Sequence, residues 1–340
     1  MAGKKSSGYT AGKKHTAHGI PTRVRRRRGG GIGRDGKPVA PAIITAVAVI
    51  LLFTAIYFGT VEGWFGCSAE DPASIDATIP PEVTPLPAMT TALPIDALND
   101  KTLTVYAADV GQGDCTLLMS PNGKTMLVDS GDEAHYDDVS AMLTRFGIKK
   151  LDVVVAASAG EGSIGAMARL IADHEIGSFY ACSGLEQAGE YAPIAEALQS
   201  RGVTARADSS GSIGWDKSCP TEAYLVQGEE HPCLALRVTH SGYSLLLAGG
   251  VGPESEAQLA ACSGIKSEVL FVGANGGEDS ASSALLSAVS PTCAVISAGG
   301  AGRPSNDALS RLNARGVKLY RTDKNGAVTI VIDKDGIRFK

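Results

Sequence analysis

The sequence predicts an α/β domain that is preceded by one transmembrane helix. The first observation behind this prediction is a run of twenty uncharged, largely apolar residues, Ala42–Val61. The second is the alternation of short apolar strand patterns with helical patterns from about residue 101 onward, which is typical of layered α/β domains. The third is length, because about 240 residues are enough to enclose a substantial hydrophobic core.

The charge of the chain changes sign across the apolar run. Residues 1–41 contain 11 Lys and Arg and one acidic residue, whereas residues 62–340 contain 20 basic and 35 acidic residues. Twenty residues at 1.5 Å each match a hydrocarbon core roughly 30 Å thick, and basic flanks tend to stay in the cytoplasm. We therefore expect a disordered basic cytoplasmic tail over 1–41 and a single membrane span over 42–61. The C-terminal part would then be extracytoplasmic, so we expect the protein in the cell membrane.

Other interpretations of the N-terminal region stay open. A cleaved signal peptide usually has a shorter apolar region, of about 7–15 residues, and a shorter basic region before it. A buried core helix would not require the arginines Arg25–Arg28 beside it. The basic tail could bind nucleic acid, but its Gly, Ser and Lys content next to an apolar segment favours disorder and attraction to anionic lipid.

A proline-rich linker follows the apolar run. Residues 62–100 contain six prolines, at positions 72, 80, 81, 85, 87 and 94. Proline lacks a backbone N–H and favours extended backbone, so such a segment is typical of a semi-rigid spacer. We expect a stalk over 62–100 that holds the domain over 101–340 away from the bilayer.

The domain pattern consists of apolar strands alternating with amphipathic helices. Strands are predicted at Leu103–Asp109, Cys115–Ser120, Lys124–Asp129, Leu151–Ala157, Phe179–Cys182, Leu234–Val238, Ser244–Ala248, Glu268–Val272, Ala294–Ser297, Lys318–Arg321 and Ala327–Ile332. Helices are predicted at Asp137–Phe146, Ser163–Asp173, Glu190–Arg201, Pro253–Cys262, Ser280–Val289 and Ser305–Arg315. Pro121-Asn122-Gly123 predicts a hairpin turn, because Asn and Gly tolerate positive φ.

Seven cysteines are present without any Cys-x-x-Cys pair. Their spacing therefore does not indicate a zinc–cysteine site. An extracytoplasmic location would permit a disulfide among Cys182, Cys219 and Cys233.

Two glycine-containing motifs open the domain, Asp109-Val-Gly-Gln-Gly-Asp114 and Leu127-Val-Asp-Ser-Gly131. Together they resemble the start of the metallo-β-lactamase-type domain of ComEC-type competence proteins. The segments Leu245–Gly250, Glu268–Gly277 and Ala294–Ser305 resemble later strands and loops of that domain in the same order. The resemblance implies a four-layer αββα metallo-β-lactamase-like sandwich over 101–340. It also implies that the family-motif loops contribute Asp109, Gly111, Gln112, Gly113, Asp114 and Asp129 near the site.

The chain departs from this family at the metal site that the resemblance implies. In the family, the strand matching Leu151–Ala157 leads into a His-x-His-x-Asp-His run, and later loops add an Asp and further His ligands. The matching positions here carry Ser158, Gly160, Gly162, Ser163, Gly250, Ala274, Asn275 and Arg303. These residues do not form a usual metal-ligand set. The sequence therefore predicts no metal, no other cofactor and no catalytic residue.

The altered loops remain candidates for binding a ligand. The candidate residues are Ser158, Gly160, Glu161, Gly162, Ser163, Gly250, Ala274, Asn275 and Arg303. Gly160–Gly165 has the G-x-G-x-x-G spacing of dinucleotide-binding loops, but no ribose-binding acid clearly follows the next strand. Backbone N–H groups beside Arg303 could instead hold an anion, although Glu161 argues against a strongly anionic ligand.

Two functions of different classes are compatible with these residues. The first is a membrane-anchored pseudoenzyme that binds a protein or a small molecule through the former active-site cleft. The second is an active ComEC-like nuclease or phosphodiesterase, related to DNA uptake, that uses non-standard ligands. A carboxylate pair for acid–base chemistry could come from Asp109, Asp114, Asp129, Asp132 and Glu133. The acidic C-terminal part argues against nucleic acid as a partner, because phosphate binding draws on Lys and Arg.

Overall fold

The computed structural model describes residues 101–208, 210–300 and 302–340. The predicted tail, membrane span and stalk lie outside these residues. Every helix within the described part of the chain is too short or too polar to cross a bilayer.

Fifteen strands of the described residues form two sheets. Their bounds are β1 Leu103–Ala107, β2 Thr116–Met119, β3 Thr125–Val128, β4 Lys150–Ala156, β5 Glu175–Cys182, β6 Ala205–Asp208, β7 Ser210–Ser212, β8 Thr221–Val226, β9 Cys233–His240, β10 Tyr243–Leu247, β11 Val269–Phe271, β12 Cys293–Ile296, β13 Lys318–Arg321, β14 Val328–Asp333 and β15 Gly336–Phe339. The eight-stranded sheet has the order β15-β14-β1-β2-β3-β4-β5-β6, and the seven-stranded sheet has the order β13-β12-β11-β10-β9-β8-β7.

Each sheet has an antiparallel part and a parallel part. In the eight-stranded sheet, pairing is antiparallel from β15 to β3 and parallel from β3 to β6. In the seven-stranded sheet, pairing is parallel from β13 to β10 and antiparallel from β10 to β7. Parallel strands need crossover connections, and the helices supply them.

The helices begin and end close to where their sequence signals predict. Their bounds are α1 Tyr136–Arg145, α2 Glu161–Ile164, α3 Met167–Asp173, α4 Tyr191–Arg201, α5 Pro253–Ala261, α6 Ser283–Val289, α7 Asn306–Ala314 and α8 Thr322–Asn325. Short 3-10 turns occur at Glu133–His135, Leu185–Gln187 and Gly273–Gly276. Proline at the first position of α5 and the Ser305 hydroxyl that caps Ala308 N–H of α7 are typical helix starts.

The side chains of β10 show how the layers pack. Leu245 and Leu247 belong to the large apolar core that also contains the buried residues of the eight-stranded sheet. Leu246 points the other way, into a second core formed with Leu259 of α5 and Leu285 of α6. Because side chains alternate along a strand, β10 is covered on both faces, by the other sheet on one side and by helices on the other.

The two sheets are also tied together at one end by Asp216, in the loop between β7 and β8. Its carboxylate accepts hydrogen bonds from the Ser120 hydroxyl at 2.6 Å and from the Asn122 amide at 2.9 Å, both in the β2–β3 hairpin. It also accepts from the Ser218 N–H at 2.7 Å. Burial acts to raise the pKa of Asp216, but these hydrogen bonds outweigh it and lower the pKa to about 2. We call Asp216 with these three partners the hairpin clamp.

Several elements differ from the sequence predictions. The helix predicted at Ser163–Asp173 is two helices, α2 and α3, which are separated at Gly165 and Ala166. The strands β6, β7, β8 and β15 were not predicted. All three residues of β7 are exposed, and it lies at the edge of its sheet, so it lacks the apolar pattern by which strands are recognised.

Of the three cysteines for which a disulfide was considered, Cys219 and Cys233 are buried thiols that are not bonded to each other. Cys219 lies instead beside His240, with Sγ 3.8 Å from Nδ1. Burial raises the pKa of the Cys219 and Cys233 thiols to about 11 each. Such thiols behave as small apolar residues and are poor nucleophiles.

Candidate functional site

A cleft of about 430 Å³ lies where loops leave the carboxyl ends of β3, β4, β10 and β11. Ligands in open α/β sheets commonly bind at such strand ends. The lining residues are Gln112, Gly113, Asp114, Asp132, Ser158, Ala159, Gly160, Gly162, Ser163, Gly249, Gly250, Gly252, Ala274 and Asn275. Most of the predicted candidate residues are therefore brought together.

Asp114 lies at the floor of the cleft and connects its loops. Its backbone N–H donates to Gly162 O at 2.9 Å, and its backbone O accepts from Gly131 N–H at 2.9 Å. Burial raises the pKa of its carboxyl to about 6, against the opposing effect of a hydrogen bond with the buried Ser297 hydroxyl. Ser297 follows β12, so Asp114 joins a loop of one sheet to a strand end of the other.

Asp129 lies behind the floor and is 2% exposed. Its Oδ1 accepts from Ala157 N–H at 2.8 Å, which orients the start of the β4–α2 loop. Burial raises the pKa of Asp129 well above its usual value, and the nearby Asp114 carboxylate raises it further. The negative charge of Asp114 therefore disfavours the ionised form of Asp129. Asp129 thus lies beside the cleft and does not line it.

The β4–α2 loop packs tightly on the Asp109–Asp114 loop. A Cβ added to Gly113 would lie 2.5 Å from the carbonyl oxygen of Gly162. That distance is too short for any side chain, so glycine is required where these two loops meet. The approach places the predicted motif residues Gly113 and Gly162 side by side.

Ser158 fills the place that a side chain at position 250 would need. A Cβ on Gly250 would lie 2.3 Å from Ser158 Cβ and 2.4 Å from Ser158 Oγ. Ser158 is 5% exposed, and its hydroxyl donates to Ser163 Oγ at 2.9 Å. The serine pair thus occupies two of the positions that the resemblance matches to family ligands, and Ser158 packs against a third, Gly250.

Ala274 and Asn275 adopt left-handed backbone, with φ of 49° and 53°. Ala274 N–H donates to Gly249 O at 2.9 Å, and the Asn275 amide donates to Ser297 O at 3.1 Å. Left-handed backbone is tolerated by Asn but costs about 1 kcal/mol for Ala. The tight turn is therefore held by its contacts with the neighbouring loops.

Arg303 does not line the cleft. Its Nη1 donates to the carbonyl oxygen of Ala274 at 2.7 Å, and its side chain lines a separate cavity of about 520 Å³ with Glu278 and Asp307. Glu161 is likewise exposed outside the cleft, where its Oε1 accepts from Glu133 N–H at 3.4 Å. Asp109 is exposed on the neighbouring loop, where burial of its carboxyl raises its pKa, and Gly111 adopts positive φ beside the His135 ring.

Sequence reasoning did not single out several contributors to the cleft: Ala159, Gly249, Gly252 and Ser297. Ser297 could be found only from its contact with Asp114, because a serine at the end of a strand has no distinctive pattern. Asp132 was considered only as one of several carboxylates. In the structure it lines the cleft, and its Oδ1 accepts from the His135 backbone N–H at 2.9 Å and lies 2.6 Å from His135 Nδ1.

The residues of the cleft do not fit the divalent metal that the family resemblance implies. Within 101–208, 210–300 and 302–340, no three His, Cys, Asp or Glu side chains are grouped so that they could hold a metal ion. The contact between Ser158 and Gly250 also leaves no room for a bridging carboxylate at position 250. The arrangement can instead offer hydroxyls, amides, backbone groups and two carboxylates to a polar ligand.

A second, larger cavity of about 670 Å³ lies at the opposite ends of the strands. It is lined by the β2–β3 hairpin, the start of β1 and the α1–β4 loop. Because it contains none of the family-motif residues, we regard the smaller cleft as the candidate site.

Known proteins similar to this chain include two competence proteins. Competence protein ComA of Neisseria gonorrhoeae is 28% identical over 247 residues, which cover 71% of this chain and 33% of that protein. ComE operon protein 3 of Bacillus subtilis strain 168 is 25% identical over 246 residues, 65% of this chain and 32% of that protein. The chain thus spans about a third of the length of these relatives.

Among solved structures, the metallo-β-lactamase fold protein YhfI from Bacillus subtilis aligns with a TM-score of 0.47 and 11% identity, over 67% of this chain and 99% of that chain. No model of a protein family matches the sequence. The two relatives confirm the homology to ComEC-type competence proteins that the Asp109–Asp114 and Leu127–Gly131 motifs predicted, and the chain carries a mixed α/β, metallo-β-lactamase-like fold with two sheets.

Proposed function

We propose that this protein is a membrane-anchored pseudoenzyme whose extracytoplasmic, metallo-β-lactamase-like domain of αββα layering binds a protein or a small molecule. Binding takes place in the cleft between Asp114, Ser158 and Asn275. The observation that carries the proposal is the contact of Ser158 with Gly250, where a Cβ at position 250 would lie 2.3 Å from Ser158 Cβ. A bridging ligand cannot be accommodated there, while a polar cleft of about 430 Å³ remains open.

Loss of hydrolysis follows from the chemistry of the loops. Metal-assisted hydrolysis requires a cation that lowers the pKa of bound water, and several imidazole or carboxylate ligands must hold it. Serine hydroxyls, glycines and alanine at the matching positions do not supply such ligands. Under this proposal, the fold is retained because it positions the loops that form the binding cleft.

The test is to measure metal and turnover on the same full-length protein. We expect less than about 0.1 equivalent of zinc, manganese or iron by elemental analysis after exposure to each ion. We expect no cleavage of single-stranded DNA, RNA or a phosphodiester chromogen above the level of an Asp129→Ala variant. Stoichiometric metal, together with turnover that Asp129→Ala abolishes, would overturn the proposal.

The buried carboxyl pair favours an alternative, a hydrolase that works by acid–base chemistry. A carboxyl with a pKa of about 6 at the floor of a cleft is suited to proton transfer near neutral pH. Under this alternative, turnover would appear in the assay above without bound metal, and Asp114→Asn would abolish it.

Membrane anchoring and orientation form a separate part of the proposal. Twenty uncharged residues over 42–61, with arginines on their N-terminal side, support a single span with the N-terminus in the cytoplasm. We expect the protein to stay in the membrane pellet at alkaline pH and a variant lacking 42–61 to be soluble. Proteolysis from the outer side should remove the C-terminal domain and spare a tag at the N-terminus. Protection of the C-terminal domain would contradict the orientation.

A further inference from the structure

The charged side chains that line the cleft are all acidic. They are Asp114 at the floor and Asp132 at the rim, and the other polar side chains are the neutral Gln112, Ser158, Ser163 and Asn275. Among the described residues that line this cleft, none is a lysine or an arginine. The cleft itself therefore attracts positive charge and repels phosphate and carboxylate groups.

Arg303 was the cation expected at this place, and its hydrogen bond removes it from the cleft. The guanidinium donates to Ala274 O at 2.7 Å, on the side of the turn that faces the neighbouring cavity. Arg303 lines that neighbouring cavity together with Glu278 and Asp307. An anion in the cleft would thus meet two carboxylates without a guanidinium to offset them.

The carboxylates of Asp114 and Asp132 have different surroundings. A ligand with one charged group and a neutral polar part could contact both. Asp132 keeps 27% of its side chain exposed while its Oδ1 bonds to His135. Asp114 is anchored through Ser297, and Asp129 lies behind it. Burial raises the pKa values of Asp114 and Asp129, and the Asp114 carboxylate adds to the shift at Asp129.

We infer that the cleft takes an ammonium or guanidinium group, with Asp114 and Asp132 as its counter-charges and with Gln112 and Asn275 bonding to the neutral part of the ligand. The inference rests on the proposed binding function. A volume of about 430 Å³ suits a small polyamine or one Lys or Arg side chain of a partner polypeptide. These two sources share the same chemistry.

The test measures binding to the full-length protein by calorimetry and thermal shift at low salt. The probes are spermidine, the peptide Gly-Lys-Gly amide, the same peptide with an acetylated lysine, inorganic phosphate and adenosine monophosphate. We expect spermidine or the lysine peptide to bind, and the acetylated peptide and both phosphates not to bind. Preference between the two amines distinguishes a free polyamine from a polypeptide side chain.

Variants locate the binding in the cleft. Asp114→Asn and Asp132→Asn should each weaken amine binding about tenfold or more, because a hydrogen-bonded charge pair loses its charge. Asp307→Asn, in the neighbouring cavity, is the matched control and should leave the affinity unchanged. If Asp114→Asn does not fold, Asp132→Asn carries the test alone.

The inference is overturned if neither amine binds, or if both Asn variants bind the amine as tightly as the unaltered protein. Binding of a phosphate or a neutral ligand instead would refute the cation preference and leave the binding function standing. Metal-dependent turnover in the earlier assay would refute the binding function itself, so the two failures are distinguishable.

Discussion

At each end of the domain one aspartate joins the two sheets, and the pKa of that aspartate is shifted in opposite directions at the two ends. In the hairpin clamp, Asp216 accepts several hydrogen bonds and its pKa falls to about 2. At the cleft, burial raises the pKa of Asp114 to about 6, because the one opposing hydrogen bond, with Ser297, does not offset it. The hairpin clamp stabilises the ionised form of Asp216, whereas burial in the cleft disfavours the ionised form of Asp114. The contrast shows that hydrogen-bond donors decide whether a carboxylate placed between the sheets is stabilised in its ionised form.

The largest expected effect on stability comes from Gly250→Asp, which introduces the side chain that the family resemblance implies at this position of the cleft. Gly250→Asp would place Cβ 2.3 Å from Ser158 Cβ, so we expect a loss of about 3 kcal/mol or more in the free energy of unfolding, or no folded protein. Urea denaturation measures this loss. Adding Ser158→Gly should recover most of it, because it removes the clashing atoms.

A matched control for that variant is Gly189→Asp, since a Cβ at Gly189 meets no atom within 4 Å. We expect it to change stability by less than about 0.5 kcal/mol, as exposed substitutions usually do. Equal stability of Gly250→Asp and Gly189→Asp would show that position 250 is open and would weaken the proposed function.

An intermediate effect is expected at the hairpin clamp. Asp216→Ala removes hydrogen bonds to Ser120, Asn122 and Ser218, and each bond to a charged group is worth about 1.5–3 kcal/mol when buried. The clamp is partly exposed, so we expect a loss of about 2 kcal/mol at pH 7 by urea denaturation. Lys217→Ala, at the exposed neighbouring position, is the control and should change little.

The pH dependence of this loss has a definite sign. The folded pKa of about 2 lies below an unfolded value near 3.9, so the stabilisation is present above pH ~4 and is lost as the pH falls toward 2. The difference between wild type and Asp216→Ala should therefore shrink over that range. A stability difference that does not change with pH would show that the charge of Asp216 does not contribute to the stability of the hairpin clamp.

The smallest effect, of opposite sign, is expected from Asp114→Asn. A folded pKa of about 6 above an unfolded value near 3.9 means that the stabilising contribution is complete below pH ~4 and is lost as the pH rises through 6. Because asparagine cannot ionise, the variant should be more stable than wild type at pH 7.5 and not at pH 4. Thermal unfolding at both pH values measures this, and a variant that is less stable at pH 7.5 would contradict the contrast between the two ends.

Much of the architecture could be predicted because it depends on local patterns. The apolar run of β4 and the helical spacing of α1 produced elements within one or two residues of those observed. Strands β7 and β8 were missed because β7 has no apolar residue and is defined only by its pairing with β8. The split between α2 and α3 was missed because it depends on how Gly165 and Ala166 pack against Glu161 and Gly131.

The sequence predicted most residues that line the cleft, but it did not predict that Arg303 lies outside the cleft. The order of the motifs identified the loops, and ten of the fifteen predicted site residues line the cleft. The other five lie outside the lining: Asp109, Gly111, Asp129, Glu161 and Arg303. Side-chain direction depends on contacts with other loops, as Arg303 shows by bonding to Ala274 O. No local pattern contains that information.

The amino-acid order alone determined the homology, the positions of most strands and helices, and the residue types at the positions that the resemblance matches to metal ligands, because each of these depends on local residue identity and spacing. Tertiary structure alone decided that Ser158 occupies the space beside Gly250, that Asp114 and Asp129 form a buried acidic pair, and that Asp216 ties the hairpin to the other sheet. These features join residues about 15 to 96 positions apart, and their energies come from distances, burial and charge that exist only once the two sheets have packed together.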